Sequence, residues 1–203
     1  MELKEAWEKL QSGEVGLIDA RETEQFLNEH IPGSLCAPYS PYSWGRSISR
    51  YLRDYPKNVL VVAGKGLGEK VRKELEENGF QVLAVIEGVE EWKRSGLPVS
   101  GVQEVEPERI MENLDEWEVI DVREPYEWNY GVIPKALRIP MNDLPDALGR
   151  LDRNKKYAVV CQHGNRSLSA ALFLADNGIR AVSIAGGMER WIAEDLPYEF
   201  PED

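Results

Sequence analysis

Tyr157-Ala158-Val159-Val160-Cys161-Gln162-His163-Gly164-Asn165-Arg166-Ser167 is the stretch on which the reading of this chain turns. Its apolar, β-branched opening reads as a buried strand. Beyond Arg166 the apolar positions Leu168, Ala171, Leu172 and Ala175 recur at helical spacing, and Gly178 stops the pattern, so a helix is predicted over residues 167–177. Cys161 therefore ends a strand and opens a tight loop that leads into a helix. Unpaired loop amides and the helix dipole favour anions at such a place. They also favour thiolate over thiol: cysteines so placed fall from about 8.5 to roughly 3.5–7.5. Arg166 adds a full positive charge, and Gly164 permits the positive φ that a ring of inward amides from Gln162 to Ser167 requires. A nucleophilic cysteine in an anion-binding cradle is the sharper reading; a buried small hydrophobe is the plainer one. The loop decides between them, because Gln-His-Gly-Asn-Arg-Ser offers no side chain suited to a core.

The rest of the chain is a repeat of this half. Leu17-Ile18-Asp19-Ala20-Arg21-Glu22 returns as Val119-Ile120-Asp121-Val122-Arg123-Glu124, and Ile31-Pro32-Gly33-Ser34 as Ile133-Pro134-Lys135-Ala136. Val59-Leu60-Val61-Val62-Ala63 matches Tyr157 to Cys161. Gly88, Trp92 and Leu97-Pro98 match Gly187, Trp191 and Leu196-Pro197. Four coincidences in one order mean a duplicated domain. Apolar strands alternating with helices predict, in each copy, a mostly parallel sheet covered on both faces, an α/β fold. The boundary falls near Val99 to Glu104, ahead of a helix opening at Pro107. Chemistry in such sheets sits at the carboxyl ends of the strands, where Cys161, Asp121 and Arg123 lie.

Composition narrows the partners. A net charge of −12 over 203 residues argues against nucleic acid and against anionic membrane surfaces. No apolar run approaches a membrane span, and Met1 to Trp7 reads as an amphipathic helix start rather than a signal peptide. Two cysteines, Cys36 and Cys161, make neither a disulfide framework nor a zinc cluster. A reducing cytoplasm fits best, and no metal is expected.

Together, Asp121-Val122-Arg123, the loop from Cys161 to Ser167, and Gly186-Gly187 followed by Trp191 resemble the rhodanese-like sulfurtransferases, over residues 17–98 and 119–197. The resemblance implies two tandem domains, each a mostly parallel five-stranded sheet with helices on both faces. It assigns residues 1–100 to an inactive copy, 101–107 to a linker and 108–203 to a catalytic copy. It implies ping-pong transfer of a sulfane sulfur from thiosulfate or a similar donor, through a Cys161 persulfide, to cyanide or another thiol acceptor. No cofactor is needed. The partners would be a small anionic donor and a thiophilic acceptor, with a sulfur-relay protein as a further candidate. One departure is Val132 where the family often has histidine; His30 holds that place in the first copy.

Each residue then has two readings. Cys161 is the nucleophile, with amides from Gln162 to Ser167 stabilising the persulfide. Arg166 offers a planar fork to the donor's oxyanion, or else pairs with a surface carboxylate. Asp121 and Arg123 orient the loop from beneath, or form an ordinary strand-end salt bridge. His163 lines the entrance, and Ser167 caps the helix or donates to the persulfide. Cys36 is expected to be buried and inert. In the first copy Ala63 replaces the nucleophile and Gly68 the arginine, leaving a scaffold. Its insertion, rich in Tyr39, Tyr42, Trp44, Tyr51, Arg46, Arg50 and Arg53, suits an interdomain contact or a docking surface. Two other functions compete. A phosphatase or arsenate reductase would use a Cys–x5–Arg loop, and the Cys161–Arg166 spacing is one residue shorter. A persulfide carrier with little small-molecule turnover would use the same Cys161.

Overall fold

The structure, a computed structural model, describes residues 1–201. The last two positions of the span assigned above to the second domain, 202 and 203, lie outside the described residues. Two compact units emerge, Met1–Gly101 and a second from Val102 onward. The first contains α1 (Leu3–Gln11), β1 (Gly16–Asp19), α2 (Thr23–Asn28), β2 (Leu35–Cys36), α3 (Trp44–Tyr51), β3 (Asn58–Ala63), α4 (Gly68–Glu77), β4 (Gln81–Glu87) and α5 (Glu90–Arg94). The second contains β5 (Glu104–Val105), α6 (Pro107–Glu112), β6 (Glu118–Asp121), α7 (Pro125–Trp128), β7 (Leu137–Arg138), α8 (Leu144–Ala147), β8 (Lys156–Val160), α9 (Asn165–Asp176), β9 (Arg180–Ile184) and α10 (Gly187–Ala193).

Strand order is β2-β1-β3-β4 in one sheet and β5-β9-β8-β6-β7 in the other, and every strand pair is parallel. Continuous apolar strands are what such sheets require, because both faces are covered. Alternate residues then feed opposite cores. On β3, Val59, Val61 and Ala63 pack with Val71 and Leu75, while Leu60 and Val62 pack with Ile31 and Trp92. On β8, Tyr157 and Val159, continued by Cys161, face Ala171 and Leu174, and Ala158 and Val160 face Ile133 and Trp191. Both tryptophans are fully buried. A buried indole N–H needs a partner, and each finds the same one: Trp92 Nε1 donates to Pro98 O and Trp191 Nε1 to Pro197 O, both at 2.9 Å. His30 and Val132 also share a role. His30 bridges to Ser100 and Val132 to Glu199 in antiparallel pairs.

Two expectations are corrected. The first sheet has four strands among the described residues, not five. In the second unit β5 precedes the first helix and pairs with β9, and no strand among the described residues takes that place in the first sheet. The stretch 101–107 is likewise more than a linker, since Glu104 and Val105 form that edge strand and Pro107 opens α6. A two-residue strand has no periodicity for a sequence to display.

The insertion of the first copy divides by burial. Trp44 is in the core, donating from Nε1 to Ala37 O at 3.1 Å, and Tyr39 stacks edge-on against it while its hydroxyl donates to Glu74. Tyr42, Tyr51, Arg46, Arg50 and Arg53 are exposed. Cys36 is half-buried rather than buried, on β2. Burial pushes its thiol above the ordinary value, helped by Asp19 and opposed by the Thr23 hydroxyl and Arg21.

Candidate active site

β8 delivers Cys161 to the carboxyl edge of the sheet, and α9 leads away from it. The turn between them is made at Gly164, whose φ of +102° places it in a region natural only to glycine. Helix α9 starts at Asn165, two residues earlier than the apolar spacing indicates. Its first turn, Asn165 to Ser167, carries N–H groups with no intrahelical acceptor. The first helical bond is Leu168 N–H to Gly164 O, 3.1 Å.

The sulfur is both buried and polar in its surroundings. Cys161 is 1% exposed and belongs to the aliphatic cluster that includes Val159 and Ala170. Yet Gly164 N–H donates to Sγ at 3.1 Å, and the thiol donates to Ser167 Oγ at 3.4 Å. The expected ring of inward amides is thus one direct amide donor among the described residues. On the opposite side of the loop the carbonyls are occupied. Met188 N–H and Glu189 N–H, from the start of α10, donate to Cys161 O at 2.8 Å and Gln162 O at 3.0 Å. This docking needs Gly187: a Cβ there would lie 2.4 Å from Cys161 O and 2.7 Å from Gln162 O. Strand register (Val61 beside Val85, Val159 beside Ser183) aligns Gly88 with Gly186, while the tryptophans align it with Gly187. The second copy therefore carries one extra residue in this turn, where α10 meets the loop.

Beneath the loop lies the Asp121–Arg123 pair, 0% and 1% exposed. Arg123 Nε donates to Asp121 Oδ1 at 3.0 Å and Nη2 to Oδ2 at 2.7 Å, and Asp121 Oδ1 also accepts the Arg123 amide. The other guanidinium donors reach Gly131 O at 2.7 Å, Glu127 O at 3.2 Å and Gln162 Oε1 at 3.2 Å. The pair is a salt bridge and a loop support at once, because the charge it buries is completed by bonds to the loop and to α7. Asp19 and Arg21 repeat the geometry in the first copy, with Arg21 Nη2 donating to Glu29 O at 2.7 Å.

Arg166 sits in the pairing held above as the alternative. Its two Nη atoms donate to the two carboxylate oxygens of Glu127, both at 2.7 Å, a fork-on-fork pair. The Arg166 hydrogen bonds hold the Glu127 carboxyl below its ordinary 4.5, and Glu127 raises the Arg166 guanidinium in turn, with a smaller contribution from Cys161. Because the carboxyl is depressed, this pair stabilises the fold above the ordinary carboxylate range and is lost only as pH falls through the lowered value. His163 is exposed, with Nδ1 3.0 Å from Glu189 Oε2. Ser167 does not cap α9: the cap position is Gly164, and the Ser167 hydroxyl, fully buried, donates to Gly164 O at 2.9 Å. Three contributors escape the sequence reading: Glu127, Ser183 (whose Oγ lies 2.9 Å from Ser167 Oγ) and the close approach at Gly187. Ser183 had a signal, a lone hydroxyl on an apolar strand where the first copy has Val85. Among the described residues no group of three or more His, Cys, Asp or Glu is placed to hold a metal, and no helix is long and apolar enough to cross a membrane.

Comparison with known proteins agrees with the internal repeat. The rhodanese-like domain model matches residues 2–95 and again residues 106–194. The putative sulfurtransferase YtwF of Bacillus subtilis is 34% identical over 99 residues, which span 47% of this chain and 96% of that protein. The thiosulfate sulfurtransferase GlpE of Pseudomonas syringae is 36% identical over 74 residues, 36% of this chain and 70% of that protein. A rhodanese-related protein of Thermoplasma volcanium is 38% identical, covering 49% of this chain and 99% of that one, with a TM-score of 0.48. With both halves matched, the chain belongs to the rhodanese-like domain family, as a tandem of two such domains.

Proposed function

We propose that the protein transfers a sulfane sulfur through Cys161 of the second domain. The observation that carries this reading is the Gly164 amide donating to a sulfur at the end of β8, in a loop braced by Arg123 and by the start of α10. In the first half-reaction the Cys161 thiolate attacks the outer sulfur of thiosulfate. A sulfur–sulfur bond forms to Sγ, the donor's own sulfur–sulfur bond breaks, and sulfite leaves with the electron pair. In the second, cyanide or a thiolate attacks the terminal sulfur, and Cys161 departs again as thiolate. Hydrogen-bond donors set in place before the reaction stabilise the anion at each stage. The first domain, with Ala63 at the corresponding position, has no nucleophile at the end of that strand and serves as scaffold.

A second reading is favoured by Arg166. Its fork is already filled by Glu127 and the sulfur is buried, which suits a persulfide carrier served by a protein donor better than rapid turnover of a free dianion. One assay addresses both. Thiocyanate formation from thiosulfate and cyanide should follow ping-pong kinetics; persulfide formation without turnover would favour the carrier. Glu127→Gln, which leaves a neutral partner and frees the guanidinium charge, is expected to raise kcat/KM for thiosulfate about fivefold, or about 1 kcal/mol for a partly exposed ion pair. An unchanged or lower value would remove Arg166 as an oxyanion contact.

A further inference from the structure

Ser183 is a buried hydroxyl between the apolar residues Val182 and Ile184 of β9, and its side chain meets Ser167, which in turn meets the sulfur. Both serines are 0% exposed. Ser167 Oγ is 2.9 Å from Gly164 O, 2.9 Å from Ser183 Oγ and 3.4 Å from Cys161 Sγ. A hydroxyl has one proton and two lone pairs. With that proton on Gly164 O, Ser167 accepts from the thiol and from Ser183, so Ser183 is the donor of its pair.

Ionising the thiol removes one of those donors and turns a Ser167 lone pair toward an anion. The Ser167 proton must then rotate from Gly164 O to Sγ. Gly164 O tolerates the loss, since Leu168 N–H also donates to it. Ser183 donates to Ser167 in both arrangements, which polarises the Ser167 hydroxyl and strengthens it as a donor to sulfur. The two copies of the chain supply an internal comparison. At the strand positions of Cys161 and Ser183 the first copy has Ala63 and Val85. On the helix, where Asn78-Gly79 corresponds to Asn177-Gly178, the position of Ser167 is held by Gly68, at which a Cβ would lie 2.9 Å from Val85 Cγ1. The hydroxyl pair accompanies the thiol and is absent where the thiol is absent.

We infer that Ser183 is a positioning residue, acting through Ser167 as a two-position hydroxyl relay that stabilises the anionic sulfur of Cys161. The inference deepens the proposed sulfur transfer and rests on that reading for its purpose. Charged groups on neighbouring elements are Arg166 on α9 with its partner Glu127 on α7, Asp121 and Arg123 at the end of β6, Glu104 on β5, whose carboxylate faces Gly164, and the exposed His163–Glu189 pair reaching α10; the substitutions below leave all of them in place.

Threonine and valine differ in little but hydroxyl against methyl, so Ser183→Thr and Ser183→Val separate hydrogen bonding from packing. In a Cys36→Ser background, the ultraviolet thiolate absorbance of Cys161 is followed across a pH series, with the Cys161→Ser protein subtracted. The thiolate fraction of Ser183→Val should fall about threefold below the midpoint, the scale of one neutral hydrogen bond, and meet the parent at the alkaline end. Ser183→Thr should track the parent. Should the valine variant fail to fold, Ser183→Ala removes the hydroxyl without adding volume and is expected to give the same loss. Coincident curves for the hydroxyl-bearing and hydroxyl-free variants would overturn the relay. The readout needs neither donor nor acceptor, so its outcome is independent of whether thiosulfate is turned over.

Discussion

Cys161→Ser is expected to reduce sulfur transfer to the uncatalysed background while leaving the fold intact. A serine oxygen at this position is not ionised near neutrality and forms no persulfide, so the covalent intermediate disappears rather than slowing. The side chain is otherwise nearly the same size, and the groups around it, Gly164 N–H and Ser167 Oγ, can bond oxygen as well as sulfur. Stability should therefore change by less than about 1.5 kcal/mol, the net worth of a hydrogen bond or two. Circular dichroism and urea unfolding separate this outcome from simple misfolding. Cys36→Ser is the control. Cys36 lies on β2 of the first domain with its thiol pushed up by burial, and its loss should leave transfer intact.

The largest effect on stability is expected from Arg123→Met. Removing the guanidinium leaves Asp121 as an uncompensated charge with no exposure to water, and breaking a buried pair in this way costs about 3–5 kcal/mol. The same substitution unties Gln162 and the carbonyls of Glu127 and Gly131, so transfer should fall even in the protein that remains folded. Arg21→Met supplies the comparison within one chain. The Asp19–Arg21 pair has the same geometry and burial, so the stability cost should be similar. No sulfur-bearing loop stands above it, and transfer by the folded protein should be retained. Equal loss of transfer in both variants would show that Arg123 matters only for folding.

Much of this architecture is legible in the sequence, and the reason is physical. Parallel strands covered on both faces must be apolar throughout, so β3 and β8 stand out as continuous runs, and duplication shows each motif twice. The strand-end positions of Asp121, Arg123 and Cys161 are readable because the turn that follows each strand is polar. What escapes is what depends on distance in space. β2, β5 and β7 are two residues long, too short for any alternation. Glu127 is an unremarked helical carboxylate until folding sets it 2.7 Å from Arg166. Ser183 sits between Val182 and Ile184, which advertise only a core, and its meaning comes from Ser167, on a different element. The amide ring inferred from Gln162 to Ser167 is, among the described residues, one direct donor to sulfur, and helix α9 begins at Asn165, earlier than its apolar positions reveal.

The central claim, that Cys161 carries the sulfur, is met most directly by mass spectrometry of the protein after incubation with thiosulfate. The account predicts a gain of one sulfur atom, located on the peptide containing Cys161 and removed by cyanide with release of thiocyanate. A Cys161 peptide that stays unmodified while the protein turns over thiosulfate, or a sulfur carried instead by Cys36, would contradict it.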